Sequence, residues 1–231
     1  MKLSALLNIH KGVTALVGSG GKTTMLHVLA AELSAQGTVI VTTSTHIRPS
    51  VVFPCLISPT VRQIQETLSQ SPVVCVGSYT AEGKLAACEL SFETLAGLAD
   101  HVLVEADGSK RLPLKAHAGH EPVIPENTGK TVCLVGATGL GRPIREVVHR
   151  PEIFCSISGS AEEDTASPEA VARVLNREAT ADLYFINQCE QPDAREKAQD
   201  LAALLDLPAF CGSLQHDYEG SAVLKQGAII L

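Results

Sequence analysis

The feature of this chain that most constrains its fold is an apolar run followed by a glycine-rich turn, a lysine and two threonines. Residues 13–17 read Val-Thr-Ala-Leu-Val, which predicts a β-strand, and residues 18–24 read Gly-Ser-Gly-Gly-Lys-Thr-Thr. Apolar residues at helical spacing predict a helix over residues 24–36, and residues 38–42 predict a second strand. A strand, a helix and a second parallel strand form a right-handed βαβ unit, so this stretch predicts an α/β fold.

Helix and strand candidates continue to alternate along the 231 residues of the chain. Further helices are expected at residues 61–68, 92–98, 168–176 and 193–205, and further strands at residues 73–76, 102–106, 132–135 and 183–186, with short strands after residue 208. Hydrophobic residues make up 45% of the chain but aromatic residues only 3%, so the core must be aliphatic, as under buried parallel strands. We therefore predict one P-loop NTPase-like domain over residues 1–231, a three-layer α/β sandwich with a mostly parallel sheet.

Charge, hydropathy and cysteine spacing argue against several classes of function. The formal net charge is −7 and Lys and Arg form no stripe, so a nucleic-acid partner is not expected. No window approaches about 18 unbroken apolar residues, and Ser4 and Asn8 interrupt the apolar start, so neither a membrane span nor a targeting segment is expected. The seven cysteines never form Cys-x-x-Cys, which favours small buried side chains in a reducing compartment over a metal or redox site. We expect a soluble, cytoplasmic protein.

The glycine-rich turn has the composition of a phosphate-binding loop. Its small residues let backbone N–H groups close around phosphate oxygens, the helix N-terminus adds positive potential, and the Lys22 ammonium can reach the β and γ phosphates. The predicted nucleotide-binding residues are Gly18, Ser19, Gly20, Gly21, Lys22, Thr23 and Thr24, with the Thr23 hydroxyl available to Mg²⁺. Leu16 stands where the eight-residue pattern requires glycine, which leaves a shorter loop similar to that of Mur-type peptide ligases. The alternative is a glycine turn with an incidental lysine.

A later predicted strand ends in two carboxylates. Residues 102–108 read Val-Leu-Val-Glu-Ala-Asp-Gly, and side chains alternate along a strand, so Glu105 and Asp107 point to one side if the strand continues that far. Ligands of open α/β sheets bind at the carboxyl ends of the strands, where the phosphate loop also lies. We predict Glu105, Asp107 and Lys22 as catalytic residues. The same two carboxylates and Thr23 are the predicted Mg²⁺ ligands. The alternative is an acidic loop that caps the next turn, and the division of labour between the carboxylates stays open.

Several segments occur together in a rare combination. They are residues 18–24, Val-Thr-Thr-Ser-Thr-His at 41–46, Val-Glu-Ala-Asp-Gly-Ser-Lys-Arg-Leu-Pro-Leu-Lys at 104–115, His-Glu-Pro-Val-Ile-Pro at 120–125 and His-Arg-Pro-Glu at 149–152. This combination resembles the YqeC family of selenium-dependent hydroxylase accessory proteins, from the first strand to about residue 190. The resemblance implies a role in maturing selenium-dependent molybdenum hydroxylases, coupled to nucleotide binding. It also implies the molybdenum cofactor and an apo-hydroxylase as partners.

The nucleotide and the reaction stay open at this level. Members of that family often have Asn-Lys-x-Asp after a late strand, as guanine-binding GTPases do, whereas this chain has Asn-Gln-Cys-Glu at residues 187–190. Glu190 is one methylene longer than the aspartate that pairs with guanine, so ATP is favoured over GTP, and CTP is not distinguished. Three hypotheses follow: an ATP-dependent accessory enzyme, a nucleotide-gated chaperone or scaffold that delivers cofactor without appreciable turnover, and a Mur-like ligase.

Basic residues and histidines define a predicted substrate side. Its members are His46, Lys110, Arg111, Lys115 and His120. The three cations could bind phosphates of a nucleotide or of a pterin, because Arg and Lys complement phosphate oxygens, and the alternative is a solvated basic loop. His117 and His120 without a third ligand are a weak zinc signal. The glycines at residues 136–141 predict a sharp turn, and residues 149–152 either a substrate loop or a helix entry.

Overall fold

The structure is a computed structural model that describes residues 2–47, 49–50, 52–80, 83–214, 223–225 and 228–230. The chain divides into two compact units. The first unit consists of Met1–Leu16, Thr23–Gly108 and Val123–Thr131, and the second of Val17–Lys22, Ser109–Pro122 and Val132–Leu231. The expectation that residues 1–231 form one domain stays a prediction.

The first unit is built on parallel strands whose connections include helices. Its helices are α1 (Leu3–Leu6), α2 (Lys22–Leu33), α3 (Val61–Leu68) and α4 (Phe92–Leu98), and its strands are β1 (Gly12–Gly18), β2 (Val39–Thr43), β3 (His46–Ile47), β4 (Cys55–Ile57), β5 (Val73–Tyr79), β6 (Leu85–Ala86) and β7 (His101–Glu105). The end of β1 and the first residue of α2 belong to the second unit. Parallel pairing gives the strand order β1–β7–β2–β5–β4, and the short β6 pairs antiparallel with β5 and β3.

An aliphatic cluster holds the first unit together, as the composition predicts. β2 is buried along its whole length, which is typical of a strand inside a parallel sheet. The buried members of the cluster are Val13, Ile40, Ile64, Val74, Val76, Leu95, Ala99, Val102 and Val104. Thr60 begins α3 in a capping box with Gln63, and Ser91 caps α4 by accepting a hydrogen bond from the Thr94 N–H. The capping residues therefore set where these two helices start, and the face of each helix that carries buried apolar residues packs against the aliphatic cluster.

The second unit combines a ladder of parallel strands with a separate short one. Its helices are α5 (Ile144–Val147), α6 (Pro151–Ser158), α7 (Pro168–Glu178) and α8 (Pro192–Leu204), with a 3-10 turn at Ala137–Gly139, and its strands are β8 (Leu114–Lys115), β9 (Thr128–Gly136), β10 (Val148–His149), β11 (Leu183–Asn187), β12 (Ala209–Cys211), β13 (Val223–Lys225) and β14 (Ala228–Ile230). β9 enters this unit at Val132. β9, β11, β12 and β14 pair in parallel in that order, β13 is antiparallel to β14, and β8 pairs with β10.

The longer helices of the second unit share one start signal. α6, α7 and α8 each begin with a proline, whose fixed φ suits the first turn and whose missing N–H has no helical partner to lose. α7 packs against both α6 and α8. Tyr184 and Phe185 of β11 are buried, and the Tyr184 hydroxyl donates to the Leu175 carbonyl of α7 at 3.0 Å. This bond ties α7 to the strand ladder and satisfies a buried polar group.

These elements confirm the predicted class, an α/β three-layer sandwich with a large, mostly parallel sheet flanked by helices. Each helix and strand predicted between residues 13 and 205 is present. The bounds of α3 and α4 are as predicted, and the other ends differ by at most four residues, the largest difference being the start of β9 at Thr128. Residues 149–152 prove to be a helix entry, because α6 starts at Pro151, and the expected sharp turn is the 3-10 turn after β9. Among the described residues, no helix has the length and apolarity needed to cross a membrane.

Helix α1 is an element that the sequence patterns did not predict. Its first N–H groups are capped by Glu32 of α2, which accepts from the Leu3 N–H at 2.9 Å and from the Ser4 N–H at 2.7 Å. A helix of four residues is below the length at which propensity is informative. Its cap lies 28 and 29 positions away in the chain, so a local search for capping residues misses it.

Candidate functional site

Three hydrogen bonds within the second unit hold the glycine-rich loop. The Ser19 N–H donates to the Leu134 carbonyl and the Ser19 hydroxyl to the Pro113 carbonyl, both at 2.8 Å. The Asn187 side-chain amide donates to the Gly20 carbonyl at 2.6 Å. Because the Gly20 carbonyl and the Ser19 side chain are both hydrogen-bonded to neighbouring segments, the loop is held in one conformation. A held loop has less conformational entropy to lose when its N–H groups bind an anion.

Glycine is required in this loop for two physical reasons. Gly18 and Gly20 have φ values of +85° and +88°, in the left-handed region that favours glycine. A Cβ atom at Gly20 would overlap the backbone nitrogen of Gly136, and one at Gly18 would overlap the Leu134 carbonyl oxygen. The turn is therefore packed against the backbone of β9, which requires glycine at these two positions whatever the loop binds. The choice between a phosphate-binding loop and a glycine turn with an incidental lysine stays a prediction.

Lys22 is drawn back over the loop that precedes it. The residue is only 4% exposed, and its Nζ donates to the Gly18 carbonyl at 2.5 Å. It is also the first residue of α2, so the N–H groups of the first helical turn start beside it. An ammonium over a loop that ends at a helix N-terminus is the arrangement that neutralises phosphate charge in nucleotide sites. Thr24 is half-buried in the same first turn.

Within the first unit, Thr23 contacts the acidic end of β7. The Thr23 hydroxyl donates to Glu105 Oε2 at 3.0 Å. Glu105 is 8% exposed, and its position is set by register, because it lies opposite Leu16 of β1 on one side and Thr43 of β2 on the other. The Thr43 hydroxyl also donates to the Glu105 carbonyl at 2.8 Å. Glu105 is thus the carboxylate that contacts Thr23, the residue directly after Lys22.

Asp107 lies beyond the end of β7 and is completely buried. The strand ends at Glu105, so strand alternation does not extend to Asp107 and gives no reason to place the two carboxylates on one face. The chain around Asp107 is held through its neighbour: the Ala106 N–H donates to the Leu16 carbonyl, and the Val123 N–H donates to the Ala106 carbonyl, both at 2.9 Å. The two predicted acids therefore have different environments.

The donor set at Thr23 and Glu105 fits Mg²⁺. Mg²⁺ binds oxygen at about 2.0–2.1 Å in octahedral geometry, which places neighbouring ligand oxygens about 2.9 Å apart. The observed 3.0 Å between Thr23 Oγ1 and Glu105 Oε2 is an ordinary hydrogen-bond length that is also compatible with that spacing. Among the described residues, no group of three or more His, Cys, Asp and Glu side chains could hold a metal ion. A magnesium site with one carboxylate and one hydroxyl needs no such group, because phosphate oxygens and waters complete its shell.

A buried ion cluster, which we call the basic cluster, surrounds Glu121 in the second unit. Lys115 Nζ and Arg150 Nη1 both lie 2.6 Å from Glu121 Oε2, and the Lys115 side chain is only 1% exposed. The hydrogen bond from Arg150 holds the pKa of Glu121 down at about 2, against the opposing effect of burial and with further help from Lys115. His149 lies beside Lys115 in the β8–β10 ladder. Burial and the nearby cations, Arg150 first, lower the pKa of His149 and favour its neutral form.

Lys110 lies near enough to His149 to contribute to the lowering of its pKa, and Lys110 and Arg111 precede Lys115 in the same loop. Both are exposed, and both have left-handed backbone conformations, with φ values of 48° and 64°. Arg150 shares this feature with a φ of 66°. Left-handed backbone in residues other than glycine is unfavourable and concentrates at functional positions. Lys115 also lines a small cavity with Gly18 and Ser19, so the buried end of the basic cluster lies against the glycine-rich loop.

The predicted histidines belong to different units and differ in burial. His46 is exposed at the start of β3 in the first unit, and His120 is exposed in the second. His117 is buried, and its ring Nδ1 lies 2.6 Å from Glu178 Oε2. The backbone N–H of His117 donates to Glu178 Oε1 at 2.7 Å. This pair fixes the loop after β8 to the end of α7. Within the described chain, it explains His117 as a positioning residue rather than as half of a zinc site.

Asn187 holds the glycine-rich loop and is absent from the residues predicted for the site. It is 5% exposed, donates to the Gly20 carbonyl, and accepts a hydrogen bond from the Leu214 N–H at 2.9 Å. In the sequence, this asparagine stands out only as the first residue of the segment that is compared with guanine-binding GTPases. A polar residue at the end of a buried strand was the available signal, because such a side chain must find hydrogen-bond partners.

The residues after Asn187 are engaged with other parts of the second unit. Gln188 has a φ of 69° and accepts a hydrogen bond from the Thr138 hydroxyl at 2.5 Å. The Glu190 carboxylate accepts a hydrogen bond from the Ser213 hydroxyl. An aspartate that recognises guanine needs both its oxygens for the base, whereas one oxygen of Glu190 is already used.

Comparison with known proteins gives one family. The model of the family described as YqeC protein matches residues 14–152, which include the loop, the acidic strand end and the basic cluster. The chain is also similar to a protein of Escherichia coli (strain K12) described as uncharacterized protein YqeC. The two are 34% identical over 207 residues, and the alignment covers 80% of each chain.

Proposed function

The chain belongs to the YqeC family, and from that premise we propose that it binds a magnesium nucleotide, ATP in preference to GTP, through residues 18–24. The proposed process is the maturation or cofactor processing of selenium-dependent molybdenum hydroxylases, in which this protein is an accessory factor. The molybdenum cofactor and an apo-hydroxylase are the proposed partners. The family resemblance supports the process, and the geometry of the loop supports the nucleotide.

The observation that carries the proposal is the hydrogen bond between Thr23 and Glu105. It brings the hydroxyl that follows the loop lysine to a carboxylate at magnesium-ligand spacing. In the proposed complex, loop N–H groups and Lys22 bind phosphate oxygens, and Thr23 and Glu105 hold the ion. The bound ion would neutralise β- and γ-phosphate charge. Lys22 would exchange the Gly18 carbonyl for a phosphate oxygen, which is a stronger, charge-assisted partner.

The basic cluster supports an anionic substrate next to the nucleotide phosphates. Lys110, Arg111, Lys115 and Arg150 outnumber Glu121, so the cluster carries net positive charge in a protein whose formal charge is −7. Arg and Lys bind phosphate and carboxylate oxygens with charge-assisted hydrogen bonds. We assign this cluster to the acceptor or to the cofactor that the protein processes.

A nucleotide-gated chaperone or scaffold is the second candidate, and the burial of Asp107 favours it. In the conformation observed, Asp107 has no contact with solvent and so does not activate a water molecule, and we expect slow basal hydrolysis of ATP. An enzyme would show hydrolysis stimulated by the cofactor. A chaperone would keep the slow basal rate and change its affinity for the apo-hydroxylase when ATP binds. Turnover assays with cofactor alone and with apo-hydroxylase alone separate the two.

Calorimetric titration with Mg-ATP, Mg-GTP and Mg-CTP tests nucleotide binding directly. Loss of a charge-assisted interaction of about 1.5–3 kcal/mol in Lys22→Ala should weaken binding about 10- to 150-fold. Lys11→Ala is the matched control, because Lys11 is a surface lysine that pairs only with Asp100 among the interactions seen here. A folded Lys22→Ala variant that binds ATP as tightly as the Lys11→Ala variant contradicts the assignment.

The two carboxylates can be separated by their metal dependence. Glu105→Gln keeps the side-chain shape but removes the charge that holds the ion, so the gain in ATP affinity on adding Mg²⁺ should fall at least about tenfold. Asp107→Asn should leave that magnesium-dependent gain closer to the wild-type value, because Asp107 is not the carboxylate bonded to Thr23. The reverse order of effects would move the ion to Asp107 and contradict the use of Glu105.

A further inference from the structure

Two cysteines of the first unit lie side by side, outside the residues assigned to the nucleotide and its acceptor. Cys55 of β4 and Cys75 of β5 are register partners in a parallel pair. Side chains of such partners project from the same face of the sheet, and neighbouring strands are about 4.8 Å apart. Disulfides form between Cα atoms about 4.4–6.8 Å apart, so the backbone already satisfies the main condition for a bond between the two sulfurs.

The two thiols differ in access and in acidity. Cys55 is half-buried, whereas Cys75 is fully buried in an apolar cluster with Ile47 and Leu85. The hydrogen bond from the Cys75 thiol lowers the pKa of Cys55 to about 7, despite the opposing effect of burial, and the Ser50 N–H lowers it further. The same hydrogen bond and burial raise the pKa of Cys75. One thiol is thus reachable and acidic, and its neighbour holds the proton.

We propose that Cys55 and Cys75 form a redox-active dithiol, in which Cys55 reacts with oxidants of the hydroperoxide class and Cys75 resolves the product as a disulfide. The Cys55 thiolate attacks the terminal peroxide oxygen, which breaks the O–O bond, gives the sulfenic acid and releases an alcohol or water. The Cys75 sulfur then attacks the Cys55 sulfur, its proton leaves with the sulfenic oxygen as water, and the S–S bond forms. Two electrons pass from the thiols to the peroxide, and a small dithiol reverses the change by exchange.

The chain provides two internal comparisons. Cys88 is half-buried like Cys55 but has no cysteine as a strand partner in the described structure, so it reports the reactivity of exposure alone. Cys189 and Cys211 are also hydrogen-bonded to each other, but both are buried. This second pair tests whether a neighbouring thiol is sufficient for oxidation when the peroxide cannot reach either sulfur from solvent. The proposal is independent of nucleotide binding, so either can fail alone.

The test is peptide mapping of the reduced, folded chain after exposure to hydrogen peroxide, with free thiols blocked at intervals. Lowering a thiol pKa from 9.0 to about 7 raises the thiolate fraction at pH 7 about fiftyfold. The more acidic thiolate is also a weaker nucleophile, which lowers the rate about tenfold, so the net gain in rate is about fivefold. Cys55 should therefore react about fivefold faster than it would at pKa 9.0, and faster than Cys88, which has no thiol beside it on a neighbouring strand of the described structure. Its product should be a cross-link between the peptides of Cys55 and Cys75, lighter by two hydrogen atoms, and Cys189 and Cys211 should stay reduced.

Two serine variants check the assigned order of events. In Cys75→Ser, the sulfenic acid on Cys55 has no resolving thiol and should be trapped by dimedone, whereas Cys55→Ser should leave Cys75 reduced. A second measurement needs no variant: phenylarsine oxide, which bridges two close thiols, should add once to the Cys55–Cys75 pair of the native chain. Reaction of Cys55 no faster than Cys88, or oxidation of Cys55 without a cross-link to Cys75, overturns the proposal.

Discussion

Asn187 shows how one buried side chain can control a loop that is distant in sequence. Its amide donates to Gly20 and accepts from Leu214. Replacing it with alanine removes both bonds and leaves a buried carbonyl and a buried N–H to be satisfied elsewhere, at about 1–3 kcal/mol for each group left without a partner. We expect Asn187→Ala to lower the free energy of unfolding by about 2 kcal/mol and to weaken ATP binding about tenfold. Urea unfolding and calorimetry measure the two effects.

Asn176 provides the matched control for this substitution. It is also an asparagine that clamps backbone, donating to the Leu204 carbonyl at 3.0 Å and accepting from the Asp206 N–H at 3.1 Å. Neither partner belongs to the phosphate loop. Asn176→Ala should therefore reduce stability without changing ATP affinity. Equal losses of affinity in both variants would show that stability, not loop geometry, limits binding.

Glu121 gives a prediction about pH. The pKa of this carboxyl falls from 4.5 to about 2 in the folded chain, mainly through the Arg150 hydrogen bond. A depressed folded pKa contributes stability above the unfolded value and loses it as the pH falls through the folded value. The destabilisation caused by Glu121→Gln should therefore be full at pH 7, shrink below about pH 4.5, and approach a minimum near pH 2.

Urea unfolding of the wild type and of Glu121→Gln at steps from pH 7 to pH 3 measures this difference. Glu66→Gln is the control, because Glu66 forms a surface pair with Arg62 whose side chains are 57% and 87% exposed. Such exposed pairs contribute little. A stability difference for Glu121→Gln that stays constant across this pH range would contradict the ionic role of the cluster.

At the scale of elements, alanine substitutions at Gly20 and Gly159 show whether backbone packing or backbone conformation makes glycine necessary in the loop of residues 18–24. Gly20 combines a φ of +88° with close packing against Gly136. Gly159, at the end of α6, has a φ of +74° but open space around its Cβ position. We expect Gly159→Ala to lower the free energy of unfolding by about 1–2 kcal/mol, from conformation alone. Gly20→Ala adds an overlap and should lower it by about 3 kcal/mol or more.

The same pair separates stability from function. Gly20→Ala must displace the loop from β9 and should abolish ATP binding at millimolar nucleotide, whereas Gly159→Ala should bind ATP normally. Circular dichroism and calorimetry on both variants check these outcomes. Wild-type ATP affinity in a folded Gly20→Ala variant would be incompatible with a loop that is held in one shape.

The long elements were predictable because their signals are local. Strand β2 is a continuous apolar run, and α3 starts at a threonine with glutamine three residues later, so both can be found within a few residues of sequence. The short β3, β4 and β10 have two or three residues each and carry no usable period. Helix α6 has a proline as its start signal, but Arg150 before it has a left-handed conformation and no side-chain cap, which residue types alone do not predict.

The candidate site was predictable to the same extent. Gly18, Lys22 and Thr23 form one contiguous motif, and their types alone indicate phosphate chemistry. The contacts that hold the motif depend on pairing distant in sequence: Asn187 is 167 residues from Gly20, and Pro113 is 94 residues from Ser19. Strand register places Glu105, and its bond to Thr23 joins residues that are 82 positions apart in the sequence. β7 ends before Asp107, so strand alternation did not place that residue. Such information is present only in the folded chain.

At the scale of the whole molecule, nucleotide binding should appear as a gain in stability. A ligand that binds only the native state at 100 times its Kd stabilises that state by about 2.7 kcal/mol. For a chain of 231 residues, each kcal/mol raises the Tm by about 2–4 °C, so Mg-ATP should raise it by about 5–10 °C. ATP with EDTA should give a smaller rise, because the oxygens of Thr23 and Glu105 then have no ion to share with the phosphates.

The choice of nucleotide makes this thermal measurement informative about the base as well. Because all three triphosphates offer the same phosphates to residues 18–24, any difference between Mg-ATP, Mg-GTP and Mg-CTP at equal concentration must come from the base and its surroundings. With Glu190 already bonded to Ser213, we expect the order ATP above GTP. Glu190→Asp shortens the side chain and weakens that bond, so it should raise the shift with Mg-GTP relative to Mg-ATP. Equal shifts for all nucleotides in both proteins would assign recognition to the phosphates alone, and no shift with any of them would remove the nucleotide from the function of this protein.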